Sequence, residues 1–534
     1  MNKRILVIFI LLALVICQAL LATDTHPEGD LEKPHKKKTL RTMFEEGSLL
    51  MVSMVNYWHH YDDFIADWEF HWTLADQLRR FNPKYWCMDS NSFYTNWGHN
   101  LSGGIYYAIA RANGLSAAGS FLADLCSNLV WKIFGEYRED LFGLEDMING
   151  QFGGTAVGEC MYQLSSYFSH RPGLQNRLAE FLFNPVLVLN NWLDRGQGPE
   201  FNSNLDASWN RFSLGIGYQA DKVTPAGTTT VDKSGAYYGQ LTASLDMELN
   251  TIPGYGEAET FQQFFSDTLS TKLFADISSS WAGVEQFRIH PSAVLFGYGW
   301  QSLEADADES VRGSSISLGF GCGFDLTKKR AVEWYDSTNG ETEGGVTQAN
   351  WARFTRPIPV RFTDKMSIVN LGGAVLQASW FGRQLFIHWT TEAYGDYGMI
   401  NALAFNRYSA SYDISGVHTT LLDWGYYYAF GMTYGSDLAT EWGPWRWRAA
   451  FRYQWYRRIK GLDRYQWLGV VTNDCGIRDS RLISSSSLGY RLPHTPVELA
   501  VADEWTGRWG LIVNHDVREH YNENRIYGEL RIYF

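Results

Sequence analysis

A chain of 534 residues has room for two or three domains, or for one large β-barrel with an appended domain. Aromatic residues make up 16% of it and 50 residues are glycine, whereas the mean hydropathy of −0.25 is too polar for a bundle of membrane helices. The net charge of −13 argues against a dominating basic surface, so we expect no nucleic-acid partner.

The N-terminal segment has the three parts of a secretory signal peptide. Two basic residues precede an apolar run at 5–16, and small residues follow up to Ala22. We therefore predict a signal peptide at 1–22, with an uncleaved anchor helix as the alternative. Residues 23–48 are polar and charged, which predicts a flexible tether.

Residues 49–200 are predicted to form an α-helical domain. Aromatic, acidic and histidine residues are mixed there without the alternation of a strand. Asn113 and Gly114 form a pair typical of a helix C-terminus. Glycine costs a helix up to about 1 kcal/mol, so glycines within a helical segment predict close helix packing. The glycines concerned are Gly153, Gly154 and Gly158.

Four blocks of this domain occur in a fixed order: WGHNLSGGIYYAIARANG at 97–114, VWKIFGE at 130–136, LEDMINGQFGGTAVGE at 144–159 and FNPVLVLNNWLDRG at 183–196. Together they resemble the bacterial domain of unknown function DUF3943, over residues 90–200. The resemblance implies a protein of the cell envelope and no known reaction.

Five ionisable residues lie in apolar or glycine-rich parts of this domain, where a buried charge needs a partner. They are His99, Arg111, Glu136, Asp146 and Glu159. One interpretation is a salt-bridge network that fixes three packed helices. The other is a lipid-headgroup site, with His99 and either Asp146 or Glu159 in catalysis and with Arg111 and Glu136 binding the ligand. We favour the structural interpretation.

The segment 57–72 concentrates histidine and acidic residues. On a helix, His60 and Asp63, or Asp67 and His71, would share a face. No H-E-x-x-H or similar signature accompanies them, so we predict no metal site and no cofactor.

The sequence pattern changes after residue 200. At 211–219, 241–249, 315–324 and 446–455, apolar residues alternate with small, polar or charged ones. Such segments, separated by polar and glycine-rich turns, predict antiparallel strands with one wet face.

The apolar face of these strands requires a second sheet or lipid. Strands about ten residues long match a tilted bilayer crossing, and their small or charged partners suit a wet lumen. The final segment, RIYGELRIYF, alternates up to Phe534. It resembles the closing strand of Gram-negative outer-membrane proteins, whose unpaired edge is bound by the barrel-assembly machinery. We predict an all-β antiparallel membrane barrel of about 12 strands at 201–534, with outer-membrane lipid and that machinery as partners.

Three arginines of one predicted strand share the luminal parity: Arg446, Arg448 and Arg452. They are candidates for binding an anionic ligand. Alternatively they pair with luminal acids such as Asp246 and Glu248, or with acids of the helical domain. We favour the helical domain as a plug of the lumen or a cap on its periplasmic mouth, because such a lumen must be filled by water, loops or protein.

The predicted function is a structural or passage role in the outer membrane of a Gram-negative bacterium, with no demonstrated reaction. One alternative is a lipid-modifying outer-membrane enzyme, an acyl or headgroup hydrolase or transferase. The further alternative is a secreted carbohydrate-binding β protein, which the aromatic content permits.

Overall fold

The computed structural model describes residues 38–60, 73, 75, 78, 81–88, 93–137, 142–169, 171, 173–194, 210–226, 238–280, 283–306, 310–335, 358–412, 426–459 and 475–533. The predicted signal peptide, the first part of the tether, most of the histidine-rich segment and Phe534 lie outside the described residues.

Helices occupy most of the described chain up to residue 194. Their bounds are α1 (Thr39–His60), α2 (Phe93–Ala112), α3 (Ala117–Val130), α4 (Leu144–Ile148), α5 (Gly154–Ser169), α6 (Leu174–Phe183) and α7 (Pro185–Leu193). Two π-helical turns, Trp131–Gly135 and Asn149–Gly153, extend α3 and join α4 to α5. A 3₁₀ turn at Pro83–Tyr85 and a parallel pair of short strands, β1 (Trp86–Cys87) and β2 (Phe142–Gly143), lie between them. Helix α1 begins within the segment predicted as a tether.

The long helices form an up-and-down bundle. The start of α1 meets the end of α2, where the Lys38 N–H donates to the Asn113 carbonyl at 3.1 Å. The end of α1 meets the end of α3, where the Trp58 indole donates to the Gly135 carbonyl at 2.7 Å. Helix α2 ends as predicted, because Gly114 adopts a positive φ of 79°. Within the described residues, no helix combines the length and the hydropathy of a membrane-crossing helix.

Glycines let α2 and α5 approach closely, as their positions predicted. A Cβ on Gly158 would lie 2.5 Å from the Gly104 carbonyl oxygen, and one on Gly154 would lie 2.8 Å from the Cα of Gly103. Gly150 belongs to the same series, four residues before Gly154. The pair is therefore a small-residue interface that any larger side chain would separate.

The rest of the described chain is a closed antiparallel barrel, which confirms the predicted fold class. Twelve of its described strands form the ring. They are β3 (Arg211–Ala226), β4 (Tyr238–Asn250), β6 (Ser270–Ser280), β7 (Gly283–Ala305), β8 (Val311–Tyr335), β9 (Ile358–Phe381), β10 (Leu385–Asn401), β11 (Tyr426–Trp442), β12 (Trp445–Arg458), β13 (Ile477–Arg491), β14 (Val497–Ile512) and β15 (Val517–Tyr533). The short strand β5 (Thr260–Phe265) pairs with the end of β7, and β15 closes the ring against β3.

Alternation along the strands separates a wet interior from an apolar exterior. Ser213 and Gln219 of β3 have the luminal parity, whereas Leu214, Ile216 and Tyr218 between them are exposed on the outside. The same alternation recurs around the ring, with large exposed residues such as Trp447 and Phe451 on β12. The exterior is apolar, as the sequence predicts for the outer face of such a barrel.

The two rims of the barrel differ in their connections. At the rim where β3 begins and β15 ends, termed the near rim, strands are joined by short connections at 306–310, 382–384, 443–444 and 492–496 and by one long connection, 251–269, which contains β5. At the opposite, far rim the connections include 336–357, 402–425 and 459–476. A short helix, α8 (Phe405–Ser411), belongs to one of these long connections.

Candidate functional site

The helical bundle packs on the outside of the barrel wall. On β8, Asp325 and Thr327 point into the lumen and bind Arg481, so Phe324 between them and its neighbour Leu326 point outward. The ring of Phe324 stacks on Trp97 of α2, with the ring centroids 6.0 Å apart.

The same relation holds on other strands, including β7 and β3. Arg288 and His290 of β7 are luminal, and the outward Ala293 is buried against Ala117 and Ala156 of the bundle. On β3 the outward Phe212 meets the Phe168 ring edge to face at 5.3 Å. The described helices before the barrel therefore contact its outer face, and the prediction that they plug the lumen is wrong.

A band of outward side chains from successive strands makes up this docking surface. It crosses the wall obliquely, from Phe212 near the start of β3 to Tyr397 and Tyr428, which lie towards the far rim. The members buried against the bundle are Phe212, Met247, Leu273, Ala293, Cys322, Phe324, Val369, Tyr397 and Tyr428.

A first ion cluster joins α2, α3 and α4. The His99 Nε2 lies 2.8 Å from Asp146 Oδ1, and Lys132 Nζ bridges Asp146 and Glu136. The Trp131 indole also donates to Glu136 at 2.8 Å. The structure thus brings together His99, Glu136 and Asp146 of the predicted set. It adds Lys132, which its position inside an apolar run of the sequence could have identified.

This first cluster continues a polar stripe along α3. Asp124, Asn128, Lys132 and Glu136 follow one another at intervals of four residues, which places them on one face. All four are buried or half-buried, and the Asn128 amide donates to Asp124 at 3.0 Å. Lys132 lies in the π-helical turn Trp131–Gly135, and Glu136 follows it directly. Such π-helical turns are frequent at functional sites.

A second ion cluster ties the bundle to the barrel and contains the other two predicted residues. Arg111 pairs with Glu159 of α5 at 3.0 Å and with Asp267, between β5 and β6, at 3.0 Å. The Tyr107 hydroxyl donates to Glu159 at 2.8 Å. Glu159 is therefore Arg111's partner and stands apart from the His99–Asp146 pair. The missed member is Asp267, which lies in a connection where sequence pattern gives no signal.

A third set of ions closes the helical domain at the near rim. Asp194, which caps α7, accepts from Lys38 and from Arg41 at 3.0 Å. Partial burial raises the pKa of Asp194, but these hydrogen bonds outweigh it and hold the pKa below its ordinary value.

Charged side chains cross the lumen from wall to wall. Arg448 of β12 pairs with its neighbour Asp437 and reaches Asp246 of β4, nearly opposite in the ring, at 2.9 Å. Arg452 pairs with Glu392 at 2.8 Å and reaches His290 across the ring at 2.7 Å. Arg446 pairs with Glu441 at 3.2 Å and lies 3.6 Å from Glu498.

These partners correct one expectation and extend another. The three predicted arginines do point inward, but they pair with acids of the barrel wall, whereas pairing with a helical plug was favoured. The luminal network also contains pairs that sequence reasoning missed. Arg288–Glu504 at 2.9 Å and Arg481–Asp325 at 2.9 Å reach across the ring, whereas Arg525–Glu504 at 2.6 Å joins the adjacent strands β15 and β14.

Packed side chains occupy the lumen on both sides of these pairs. At the far rim, Phe405 and Tyr408 of α8 pack with the inward Ile400, Tyr456 and Ile512. On the near-rim side, the connection after β4 folds inward, where Tyr255 hydrogen-bonds Ser379 at 2.5 Å and the Gly256 N–H donates to Gln301 at 2.9 Å. A cavity of about 250 Å³, lined by the crossing ions and by serines, lies within the lumen.

No group of three metal-binding side chains occurs among the residues that the structure describes. The catalytic and ligand-binding roles predicted for His99, Arg111, Asp146, Glu159 and the arginines stay predictions.

Fold and contacts define a closed antiparallel barrel, resembling those of outer-membrane proteins, with a helical domain on its wall. Residues 85–186 match the family described as Domain of unknown function (DUF3943), which confirms the predicted resemblance. No curated protein sequence matches the chain.

Several solved barrels are similar to this chain. A Pseudomonas aeruginosa FadL homologue is 9% identical, with 62% of this chain and 92% of that one covered and a TM-score of 0.23. The translocator domain of the autotransporter NalP from Neisseria meningitidis is 11% identical, with 62% and 91% covered and a TM-score of 0.20. The toluene transporter TodX of P. putida is 9% identical, with 63% and 93% covered and a TM-score of 0.21.

Proposed function

We propose that this protein is an outer-membrane barrel with a structural role, in which a closed barrel holds the DUF3943 domain against its outer wall. The single observation behind this proposal is that the barrel's charged residues pair across the lumen while its outer face binds the helices. The passage role is set aside, because a solute would have to break several buried ion pairs.

The energetics favour a permanently closed lumen. Separating one partner of a buried ion pair typically costs about 3–5 kcal/mol, because the remaining charge is left without compensation. The luminal pairs share partners, for example Glu504 with Arg288 across the ring and with Arg525 on the adjacent strand. Moving one side chain therefore disturbs the next, which makes the set a cross-brace of the barrel.

The two rims suggest an orientation. Outer-membrane barrels have short periplasmic turns and longer extracellular loops. The near rim, with the shorter connections, is then periplasmic, and the cluster of Lys38, Arg41 and Asp194 faces that compartment. In this orientation β15 closes the barrel against β3, consistent with recognition of its edge by the assembly machinery before closure.

One observation favours the enzymatic alternative. The 2.8 Å contact between His99 and Asp146 is the pairing expected of an acid–base dyad. Lys132 also binds the same carboxylate, however, so that Asp146 joins three helices and serves as a structural link. The sugar-binding alternative loses support, because the outer face of the barrel exposes a belt of large apolar side chains.

Conductance across a planar bilayer tests the closed lumen. We expect purified wild-type protein to carry no steady current, and a variant with Arg288→Ala, Arg452→Ala and Arg481→Ala to carry one. Arg518→Ala, at an exposed far-rim position, is the matched control and should stay silent. Heat-modifiable migration on a gel would show that each barrel is folded. A steady wild-type current would refute the structural role.

A further inference from the structure

We propose that the helical domain is immersed in the acyl-chain layer of the outer membrane, beside the barrel, and that lipid chains cover its exposed apolar faces. This inference deepens the proposed function and rests on it, because it requires the barrel's outer face to lie in lipid.

Helix α1 exposes apolar side chains and buries a charged one, the reverse of the pattern expected for a helix in water. Its exposed face carries Phe44, 75% exposed, and Val52, 68% exposed, whereas Glu46 is only 5% exposed. From 38 to 59, no exposed residue is Asp, Glu, Lys or Arg. A surface helix of a soluble domain shows the opposite arrangement, with its apolar stripe inward and its charges in water.

The interior of the bundle is correspondingly rich in charge. Lys132, Glu145 and Glu159 are each almost wholly buried. The first ion cluster satisfies its charges inside the bundle, and Arg111 of the second is buried against Glu159, with Asp267 at the surface where the bundle meets the barrel. Ionisable residues of membrane helices are likewise found facing the bundle interior. A bundle of this kind can enter lipid although its separate helices are polar, because the polar groups face one another.

Close glycine packing fits the same environment. In lipid, helices gain little from the hydrophobic effect on association, so small residues that admit close backbone contact supply the packing. Gly150, Gly154 and Gly158 recur at every fourth residue and meet Gly103 and Gly104 of α2.

Helices α6 and α7 extend the apolar exterior to the near rim. Leu178 and Leu182 of α6 and Trp192 of α7 are exposed, and no residue of α6 is buried. Arg177 is also exposed on α6, so the helix offers both an apolar face and a cationic side chain. Such a helix suits the interface between acyl chains and headgroups.

Continuity with the barrel identifies lipid as the occupant. The docking surface on the wall is a band of outward residues, and exposed residues of the same parity lie beside it, for example Phe320 beside Phe324 on β8. Since the exposed belt faces lipid under the proposed function, a domain packed on the middle of the same wall is surrounded by the same layer.

Site-directed spin labelling of full-length protein in phospholipid vesicles tests the inference. Nitroxides would be placed on single cysteines at Val52 and Leu182, in a background in which the native cysteines are replaced by alanine. Ile216 on the barrel belt is the lipid control, and Arg518 at the far rim is the water control. Collisions with dissolved oxygen and with a water-soluble nickel chelate are then compared.

We expect the label at 52 to match the label at 216, with collisions with the nickel chelate lost and those with oxygen retained. The label at 182, on the interfacial helix α6, should collide with the nickel chelate less often than the label at 518. Nickel collisions like those at 518 would place the domain in water and overturn the inference. Protection from both probes would also overturn it, because a protein partner or a second copy would then cover the face. If the label at 216 itself met the nickel chelate, the proposed function would fail first.

Discussion

The barrel and the helical domain bury charge and expose apolar side chains alike, but they do so by different means. In the barrel, inward Asp325 and outward Phe324 are adjacent in sequence, because successive residues of a strand face opposite ways. In α1, Glu46 is buried and Phe44 is exposed, because residues two apart in an α-helix lie on opposite faces. The comparison teaches that buried charge and exposed apolar side chains can be produced by the two-residue period of a strand or by the 3.6-residue period of a helix. Only the two-residue period is easily recognised in the sequence.

Removing a buried luminal cation should give the largest effect. Arg481→Met leaves Asp325 without its 2.9 Å partner and should lower the free energy of unfolding by about 3–5 kcal/mol. Urea titration in detergent micelles, followed by heat-modifiable migration, would measure it. Arg518→Met, which affects an exposed pair, should change the midpoint little. Equal effects of the two substitutions would contradict the cross-brace.

The matching change in the helical domain separates the two regions. Lys132→Met leaves Glu136 and Asp146 facing each other inside the bundle and should cost about 3–5 kcal/mol. We expect proteolysis to cut the helical domain while the barrel keeps its heat-modifiable migration. If the barrel unfolds together with the bundle, the two regions form one cooperative unit and the comparison needs revision.

A single methyl group should disturb the helix interface. Gly154→Ala places a Cβ 2.8 Å from the backbone of Gly103 and should cost about 1–3 kcal/mol through overpacking. Gly47→Ala on α1 meets nothing within 4 Å and should be neutral or slightly stabilising. The denaturant midpoint of the helical domain, followed by limited proteolysis, would compare them. A neutral Gly154→Ala would mean that the helices are not in close contact.

Loss of the histidine should have a smaller effect. His99→Ala removes one hydrogen-bonding partner of Asp146 but leaves Lys132, so we expect a loss of about 1–2 kcal/mol and normal assembly. Mass spectrometry of membrane lipids should show an unchanged profile for His99→Ala and Asp146→Asn. An altered lipid profile with normal assembly would establish the enzymatic alternative.

The smallest effect should come from the near-rim ion pair. Because the folded-state pKa of Asp194 is lowered, its ionised form stabilises the domain above the unfolded-state pKa, and this contribution is lost as the pH falls through the folded-state value. Asp194→Asn should remove at most about 1 kcal/mol at pH 7 and flatten the loss of stability below pH 4 or so. Proteolysis of the helical domain across pH 3–7 would check the slope. An unchanged slope would exclude Asp194 as the titrating group.

The sequence was most informative where the polarity of the side chains follows the repeat of the secondary structure. Alternation at 211–219 and 446–455 predicted strands, their faces and the luminal arginines, because a two-residue period leaves one way to place each side chain. The spacing of Gly153, Gly154 and Gly158 predicted close packing for a similar reason. The partners of the arginines were not predictable, since pairing across a ring depends on the number and register of the strands.

The position of the helical domain was mispredicted for a physical reason. Nothing in the sequence of α2 or α5 distinguishes a helix inside a wet lumen from one on an outer wall, because both require polar and small side chains on several faces. The signal lay in β8 and β10, where Phe324 and Tyr397 have the same parity as the exposed apolar residues of their strands, whereas a β-bulge in β9 reverses the parity before Val369. Only their burial identifies them as part of a protein interface.

The docking surface also constrains the order in which the chain folds. Trp97, Ala156 and Phe168 rest on residues from β3 through β11, all of which leave the ribosome later than the helices. Contacts so distant in sequence form slowly. The barrel-facing surface of the helical domain therefore stays uncovered until the sheet has formed. The helical domain therefore depends on the barrel, and a fragment ending before residue 201 would lack the barrel wall on which the helices pack.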